Sequence, residues 1–228
     1  MNLGQEDWNA VDEYVTELLI PADEALQAAL EASAAAGLPP IQVSPCQGKF
    51  LHLLARVHGA RTILELGTLG GYSTIWLGRA LPKGGRLITL EVNPQYAEVA
   101  QANIARAKLS HVVELRVSPA IEALAQLAAE GQGPFDLIFI DADKPATPDY
   151  FLWALKLSRR GTLIIVDNVV RKGALAESDS TDPSVQGMRR FTELLGAEPR
   201  VTATVLQTVG SKGYDGFAVA LVTNELPT

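Results

Sequence analysis

Two acidic clusters each close an apolar run. Phe135-Asp136-Leu137-Ile138-Phe139-Ile140 leads into Asp141-Ala142-Asp143-Lys144, and Gly161-Thr162-Leu163-Ile164-Ile165-Val166 leads into Asp167-Asn168. Each run has the length of a buried strand. If the strands are parallel neighbours, their carboxyl ends lie at one sheet edge, about 4.8 Å apart. Asp141, Asp167 and Asn168 then converge. Donors that are all oxygen suit a hard divalent cation such as Mg²⁺, Ca²⁺ or Mn²⁺. The carboxyl edge of an open α/β sheet is also where ligands bind.

A second group lies upstream. Thr62-Ile63-Leu64-Glu65-Leu66-Gly67-Thr68-Leu69-Gly70-Gly71-Tyr72-Ser73 reads as strand, glycine-rich turn and helix start. Glycine lets the chain turn tightly and lets a ligand approach the backbone. The turn is not G-x-G-x-x-G, because Thr68 and Leu69 separate Gly67 from Gly70. A pyrophosphate-binding turn is therefore disfavoured. Glu91 closes the next strand candidate, where nucleotide-binding α/β proteins place an acid that accepts ribose hydroxyls. Taken singly, the turn and Glu91 also fit a plain turn and a solvated strand end. Together they fit a nucleoside-bearing cofactor.

The elements that must position these residues follow from periodicity. Val11, Tyr14, Val15, Leu18 and Leu19 recur at helical spacing, as do Ala25, Leu26, Ala29 and Leu30. Gly37 and Pro39-Pro40 stop the second helix. From Ile63 strands and helices alternate, which predicts a parallel sheet covered by helices. The strand candidates are Thr62–Leu66, Leu87–Glu91, Val112–Val117, Phe135–Ile140, Thr162–Val166, Arg200–Leu206 and Phe217–Val222. The last two are expected to form an antiparallel edge hairpin joined by Gln207–Tyr214, after a helix around Val185–Leu195. Ser44-Pro45, Asn93-Pro94, Ser118-Pro119 and Thr147-Pro148 each place a capping side chain before a proline suited to the first helical position. The expected organisation is one domain over residues 1–228, with an N-terminal helical cap (1–58) and an α/β core (59–228).

Composition narrows the partners. The 228-residue chain is 47% hydrophobic and carries a formal charge of −7, so it can bury a full core and lacks the basic balance of a nucleic-acid binder. Cys46 is the single cysteine, which excludes an intramolecular disulfide and fits a reducing compartment. His52, His58 and His111 have no spacing that suggests a shared metal. Met1-Asn2-Leu3-Gly4-Gln5-Glu6-Asp7 is polar and acidic, with no leader pattern, and no apolar run is long enough to cross a bilayer. A cytoplasmic protein without membrane or nucleic-acid partners is expected.

Glu65-Leu66-Gly67, Gly70-Gly71-Tyr72-Ser73, Glu91-Val92-Asn93-Pro94, Asp141-Ala142-Asp143-Lys144 and Asp167-Asn168 stand in an order that resembles the cation-dependent O-methyltransferases. That family includes caffeoyl-CoA and catechol O-methyltransferases. The resemblance runs from about Ile41 to the C-terminus. It implies the class I S-adenosylmethionine-dependent methyltransferase fold, a Rossmann-like seven-stranded, mostly parallel sheet with an antiparallel last strand and helices on both faces. It implies S-adenosylmethionine and a divalent cation as cofactors, a small catechol-like or hydroxylated aromatic acceptor, and a homodimer supported by the N-terminal helices and edge hairpin. By motif position, Asp141, Asp167 and Asn168 look like the metal ligands and Lys144 like the general base. Glu65, Gly67 and Ser73 look like contacts to the methionine portion, Glu91 like the ribose ligand and Ala120 like a backbone contact to the adenine. Val43 would contact the cofactor through its backbone, and Asp141 is also expected beside it.

There are departures. The plant caffeoyl-CoA enzymes carry Thr-Ser-Ala-Asp-Glu-Gly-Gln where this chain has Val43-Ser44-Pro45-Cys46-Gln47-Gly48-Lys49, and a tryptophan where it has Arg171. The plant acyl-CoA substrate is therefore not transferred. The roles of Asp143, Arg171 and Tyr214 stay open, and Tyr150, Phe151 and Trp153 are expected to pack more than to bind. Two other readings compete. An NAD-dependent oxidoreductase leaves Asp141, Asp167 and Asn168 unexplained. A catalytically inactive cofactor-binding module leaves the intact Asp141, Lys144, Asp167 and Asn168 set unexplained.

Overall fold

A computed structural model describes residues 4–224. The first residues of the expected leaderless N-terminus, Met1 to Leu3, lie outside them. Seven strands form one mixed sheet in the order β3-β2-β1-β4-β5-β7-β6, as expected for the methyltransferase fold. The chain divides into two compact units, one running to Ser118 with Gly210–Gly213, the other holding Pro119–Val209 and the residues from Tyr214 on.

The first unit contains α1 (Gln5–Leu19), α2 (Glu24–Ala35), α3 (Pro45–His58), β1 (Thr62–Leu66), α4 (Tyr72–Ala80), β2 (Arg86–Glu91), α5 (Pro94–Arg106) and β3 (Val113–Val117). β1 pairs parallel with β2, and β2 with β3. Ile63, Leu64 and Leu66 are fully buried, as a parallel strand covered on both faces requires. The apolar stripe of α1 behaves differently: Val11, Tyr14, Leu18 and Leu19 are exposed and the helix has no buried residue. Gln5 Nε2 donates to Gly210 O and Ser211 N donates to Asp12 Oδ2, so the hairpin tip rests on α1.

The second unit contains α6 (Ala120–Ala129), β4 (Leu137–Ile140), α7 (Thr147–Lys156), β5 (Leu163–Asp167), α8 (Pro183–Ala197), β6 (Val201–Gly210) and β7 (Gly213–Val222). β4 pairs parallel with β5, and β5 antiparallel with β7. The hairpin connection is shorter than the expected Gln207–Tyr214, because both strands run on to Gly210 and Gly213. The exposed polar residues there, Gln207 and Thr208 among them, hide strand from an apolar count.

Two of the four Xaa-Pro caps act as expected: Ser44 Oγ accepts from Gln47 N and Asn93 Oδ1 from Gln95 N. The other two are displaced by one residue. Pro119 occupies the cap position of α6 without a side-chain bond, and Thr147 lies inside α7 because a 3₁₀ turn over Lys144–Ala146 leads into it.

Asp23 caps α2 by accepting from Leu26 N at 2.9 Å, and Arg79 grips the same carboxylate at 2.7 and 3.0 Å. Burial pushes the Asp23 pKa up, but the Arg79 guanidinium and the Leu26 N–H more than offset this, so it lies below its usual 3.8. A lowered carboxyl contributes stability above its unfolded value and loses it as pH falls through the folded one. Asp23→Ala is therefore expected to cost about 1–2 kcal/mol at pH 7. Denaturant titrations should show the gap from wild type closing below the ordinary carboxylate range. An equal gap at acid pH would remove the ion pair from this account.

Candidate active site

In the first unit, the expected cofactor residues gather at the carboxyl ends of β1 and β2. The turn between β1 and α4 needs positive φ at Gly67 (93°) and Gly71 (81°), conformations that glycine takes without a Cβ penalty. Below it lies a buried polar network. Ser73 Oγ, Thr74 Oγ1 and Thr89 Oγ1 donate to the fully buried Glu65 carboxylate at 2.6, 2.5 and 2.7 Å. Thr68 Oγ1 lies 2.6 Å from Thr89 Oγ1. A buried carboxylate is tolerated only when hydrogen-bonded, so Glu65 ties the helix start to the strand.

Glu91 is also buried, and its carboxylate is held by backbone. Oε2 accepts from Leu69 N at 2.8 Å, and Oε1 accepts from Val92 N and Asn93 N at 3.0 and 2.9 Å. A carboxylate has about four lone-pair sites, so these bonds leave about one for a ligand unless the glycine-rich turn releases Leu69. Val43 is buried just ahead of the Ser44 cap of α3.

The second unit brings the expected metal and base residues together. Ile140 is paired with Val166 in the β4–β5 register. The next residues, Asp141 and Asp167, therefore leave adjacent strands side by side, with backbones about 4.8 Å apart. Asp167 Oδ1 accepts from Asn168 N at 2.8 Å, and Asn168 has φ 56°, a conformation asparagine adopts more readily than most side chains. Lys144 Nζ lies 2.7 Å from Asp141 Oδ1, and both side chains are largely shielded from solvent. Among the described residues no three His, Cys, Asp or Glu side chains gather around one point. The expected set has two carboxylates and takes its third oxygen from the Asn168 amide. That all-oxygen chemistry fits Mg²⁺ better than a thiophilic metal.

Ala120 opens α6, whose first-turn N–H groups have no partner within the helix. Asp143 is exposed, and its Oδ1 accepts the Tyr150 hydroxyl. Burial, and then the bond to Asp143, push the Tyr150 pKa well above its usual value, so Tyr150 stays protonated and donating.

Sequence reasoning missed two supports. Gly187 on α8 packs against the Lys144 turn so closely that a Cβ there would lie 2.3 Å from Lys144 O and 2.7 Å from Pro145 Cα. Asp215 in β7 accepts from Val170 N and Arg171 N at 3.0 and 2.9 Å, clamping the segment after Asn168. A lone glycine inside a helical pattern was the one available signal for the first. The second had none, since an acid in Tyr214-Asp215-Gly216 reads as a turn.

The O-methyltransferase family profile matches residues 17–220. The chain belongs to this family. It is 57% identical to a catechol O-methyltransferase of Niastella koreensis, across 96% of this chain and 100% of that one. It is 53% identical to a catechol O-methyltransferase of Mycobacterium tuberculosis, across 93% and 94%. Among solved structures, an O-methyltransferase from Bacillus cereus in complex with SAH superposes with a TM-score of 0.96 at 59% identity, covering 96% of this chain and 100% of that one. An O-methyltransferase of Streptomyces achromogenes involved in tomaymycin synthesis, in complex with SAM, gives 0.94 at 53% identity, covering 97% and 100%. The chain is accordingly an enzyme of the O-methyltransferase class, and the oxidoreductase reading is set aside.

Proposed function

We propose that this enzyme transfers a methyl group from S-adenosylmethionine to one hydroxyl of a small catechol-like acceptor, with a divalent cation, Mg²⁺ foremost, held by Asp141, Asp167 and Asn168. The observation that carries this reading is the in-register exit of Asp141 and Asp167 from β4 and β5, with Lys144 2.7 Å from Asp141. The catechol relatives and the SAM- and SAH-bound structures support it. A cation bound there supplies Lewis acidity, lowering the pKa of an acceptor hydroxyl and orienting it. What bound S-adenosylmethionine supplies is an activated methyl: as the oxygen–carbon bond forms, the sulfur–carbon bond breaks and the sulfur leaves neutral.

The residues of the chain do the rest. Lys144 takes the hydroxyl proton, and its turn is fixed from behind by the close approach of Gly187. Glu91 accepts from the ribose hydroxyls as the Leu69 N–H gives way. Glu65, Gly67 and Ser73 meet the methionine portion, with Glu65 also holding Ser73 in place. Val43 and Ala120 contribute backbone contacts, and Asp141 borders both cofactor and cation.

We further propose that residues 1–228 act as one methyltransferase domain in the cytoplasm, with 1–58 as a helical cap on the 59–228 core, and pair as a homodimer. The exposed α1 stripe supports the pairing. Among the described residues, no helix is long and apolar enough to cross a membrane.

The deciding experiment is transfer of labelled methyl from S-adenosylmethionine to catechol, with Mg²⁺ and with chelator. Transfer that needs the metal is expected. Undiminished transfer in chelator would remove the cation from the mechanism, and no transfer to any hydroxylated aromatic would remove the acceptor class.

A further inference from the structure

We infer that Arg171 binds an anionic group on the acceptor, narrowing the acceptor to catechol-type rings that bear a carboxylate. The inference rests on the catechol-type reading above and adds a specificity residue to it. It begins with backbone. Asn168, Arg171 and Lys172 have φ of 56°, 55° and 57°. Arginine and lysine rarely adopt the left-handed region, and such residues persist where surrounding structure holds them, often at ligand sites.

That hold is visible. Asp215 Oδ1 accepts from Val170 N and Arg171 N, and Gly216 O accepts from Val169 N at 2.9 Å. Arg189 Nη1 donates to Leu175 O at 2.8 Å beyond the bend. Gly216 permits the close approach, since a Cβ there would lie 2.6 Å from Val170 Cγ2 and 2.2 Å from Leu206 O. The segment that launches the Arg171 side chain is thus fixed from β7 and α8.

The side chain itself is left with an unmet need. Its Nε is shut off from solvent and has no hydrogen-bond partner among the described residues. Arg79, Arg159 and Arg200, by contrast, each rest on a carboxylate. A guanidinium is always charged, and its planar fork of donors matches a carboxylate. A buried N–H without an acceptor costs free energy that a ligand oxygen can recover. Arg171 follows Asn168 by three residues, at most about 11 Å of chain. That keeps it within reach of a substituent on a ring held at Asp141, Asp167 and Asn168. Asp215 acts through the backbone and is a positioning residue.

The test compares catechol with 3,4-dihydroxybenzoate as acceptors, with S-adenosylmethionine and Mg²⁺, and reads the ratio of their kcat/KM values. Wild type is expected to favour the carboxylated acceptor. Arg171→Gln should lower the ratio at least ~10-fold, through KM of the carboxylated acceptor, and Arg171→Lys should keep part of the preference. Asp215→Ala should lower the ratio as well, and Asp215→Asn, whose amide oxygen still accepts from both N–H groups, should restore it. A folding defect slows both acceptors together and cancels in the ratio. A ratio unchanged in Arg171→Gln, or a wild-type ratio at or below one, overturns the role of Arg171. Transfer to neither acceptor by wild type overturns the catechol-type reading instead, and this inference with it. A ratio untouched by Asp215→Ala overturns only the positioning role of Asp215.

Discussion

Lys144→Ala is expected to lower kcat for catechol by about 10²–10⁴-fold, the range general-base groups contribute, while S-adenosylhomocysteine binds as before. The expectation follows from placement. Lys144 sits on the turn just after β4, its Nζ 2.7 Å from Asp141 Oδ1, and both are sheltered from water. The residues expected to hold the cofactor's methionine and ribose portions lie on other elements: Glu65 and Ser73 are tied to each other, and Glu91 is tied to the turn before α4. Removing the amine therefore strikes the proton and leaves those contacts in place. Calorimetry with S-adenosylhomocysteine beside steady-state kinetics separates the two effects. A mutant with wild-type kcat would take Lys144 out of the reaction.

Asp167→Asn should have an effect of similar size by a different route. The substitution keeps the shape of a residue that is 4% exposed, and an amide oxygen can still accept from Asn168 N. What it removes is one of two negative charges leaving neighbouring strands in register. The Mg²⁺ concentration for half-maximal activity should rise by more than about 100-fold, the upper end for residues that merely support a ligand. Thermal unfolding without metal serves as the control and should change little. An unaltered Mg²⁺ dependence would show that Asp167 is no ligand.

Much of this arrangement was readable in the chain because parallel strands buried on both faces announce themselves as unbroken apolar runs. Leu137–Ile140 and Leu163–Val166 are such runs, and the acids that follow them mark the carboxyl edge. The Ser44 and Asn93 caps were readable for an equally local reason, a side-chain oxygen and a proline in consecutive positions. What escaped was set by distant neighbours. Thr147 looked like a cap until the 3₁₀ turn ahead of it carried the helix start past it. β6 runs as far as Gly210 through residues that are mostly exposed, so no alternation of buried and exposed positions marks its end. The ring of hydroxyls around Glu65 escaped as well, because nothing local places Thr74 and Thr89 beside it. Asp215 and Gly187 earn their importance only through segments far along the chain, Val170–Arg171 and Lys144–Pro145.

The pinch at Gly187 has a wider meaning for the enzyme. Backbone meets backbone there, so no rotamer change can relieve an added methyl group. The location of Lys144, the proposed base, is thereby welded to the seating of a fifteen-residue helix, Pro183–Ala197, whose buried face is formed by Val185, Met188, Phe191 and Leu195. Anything that tilts or loosens that helix, even at its far end, shifts Lys144 relative to the two aspartates. With Lys144 as the proposed base, turnover is in this way made to depend on the integrity of a hydrophobic seam on the other side of its turn.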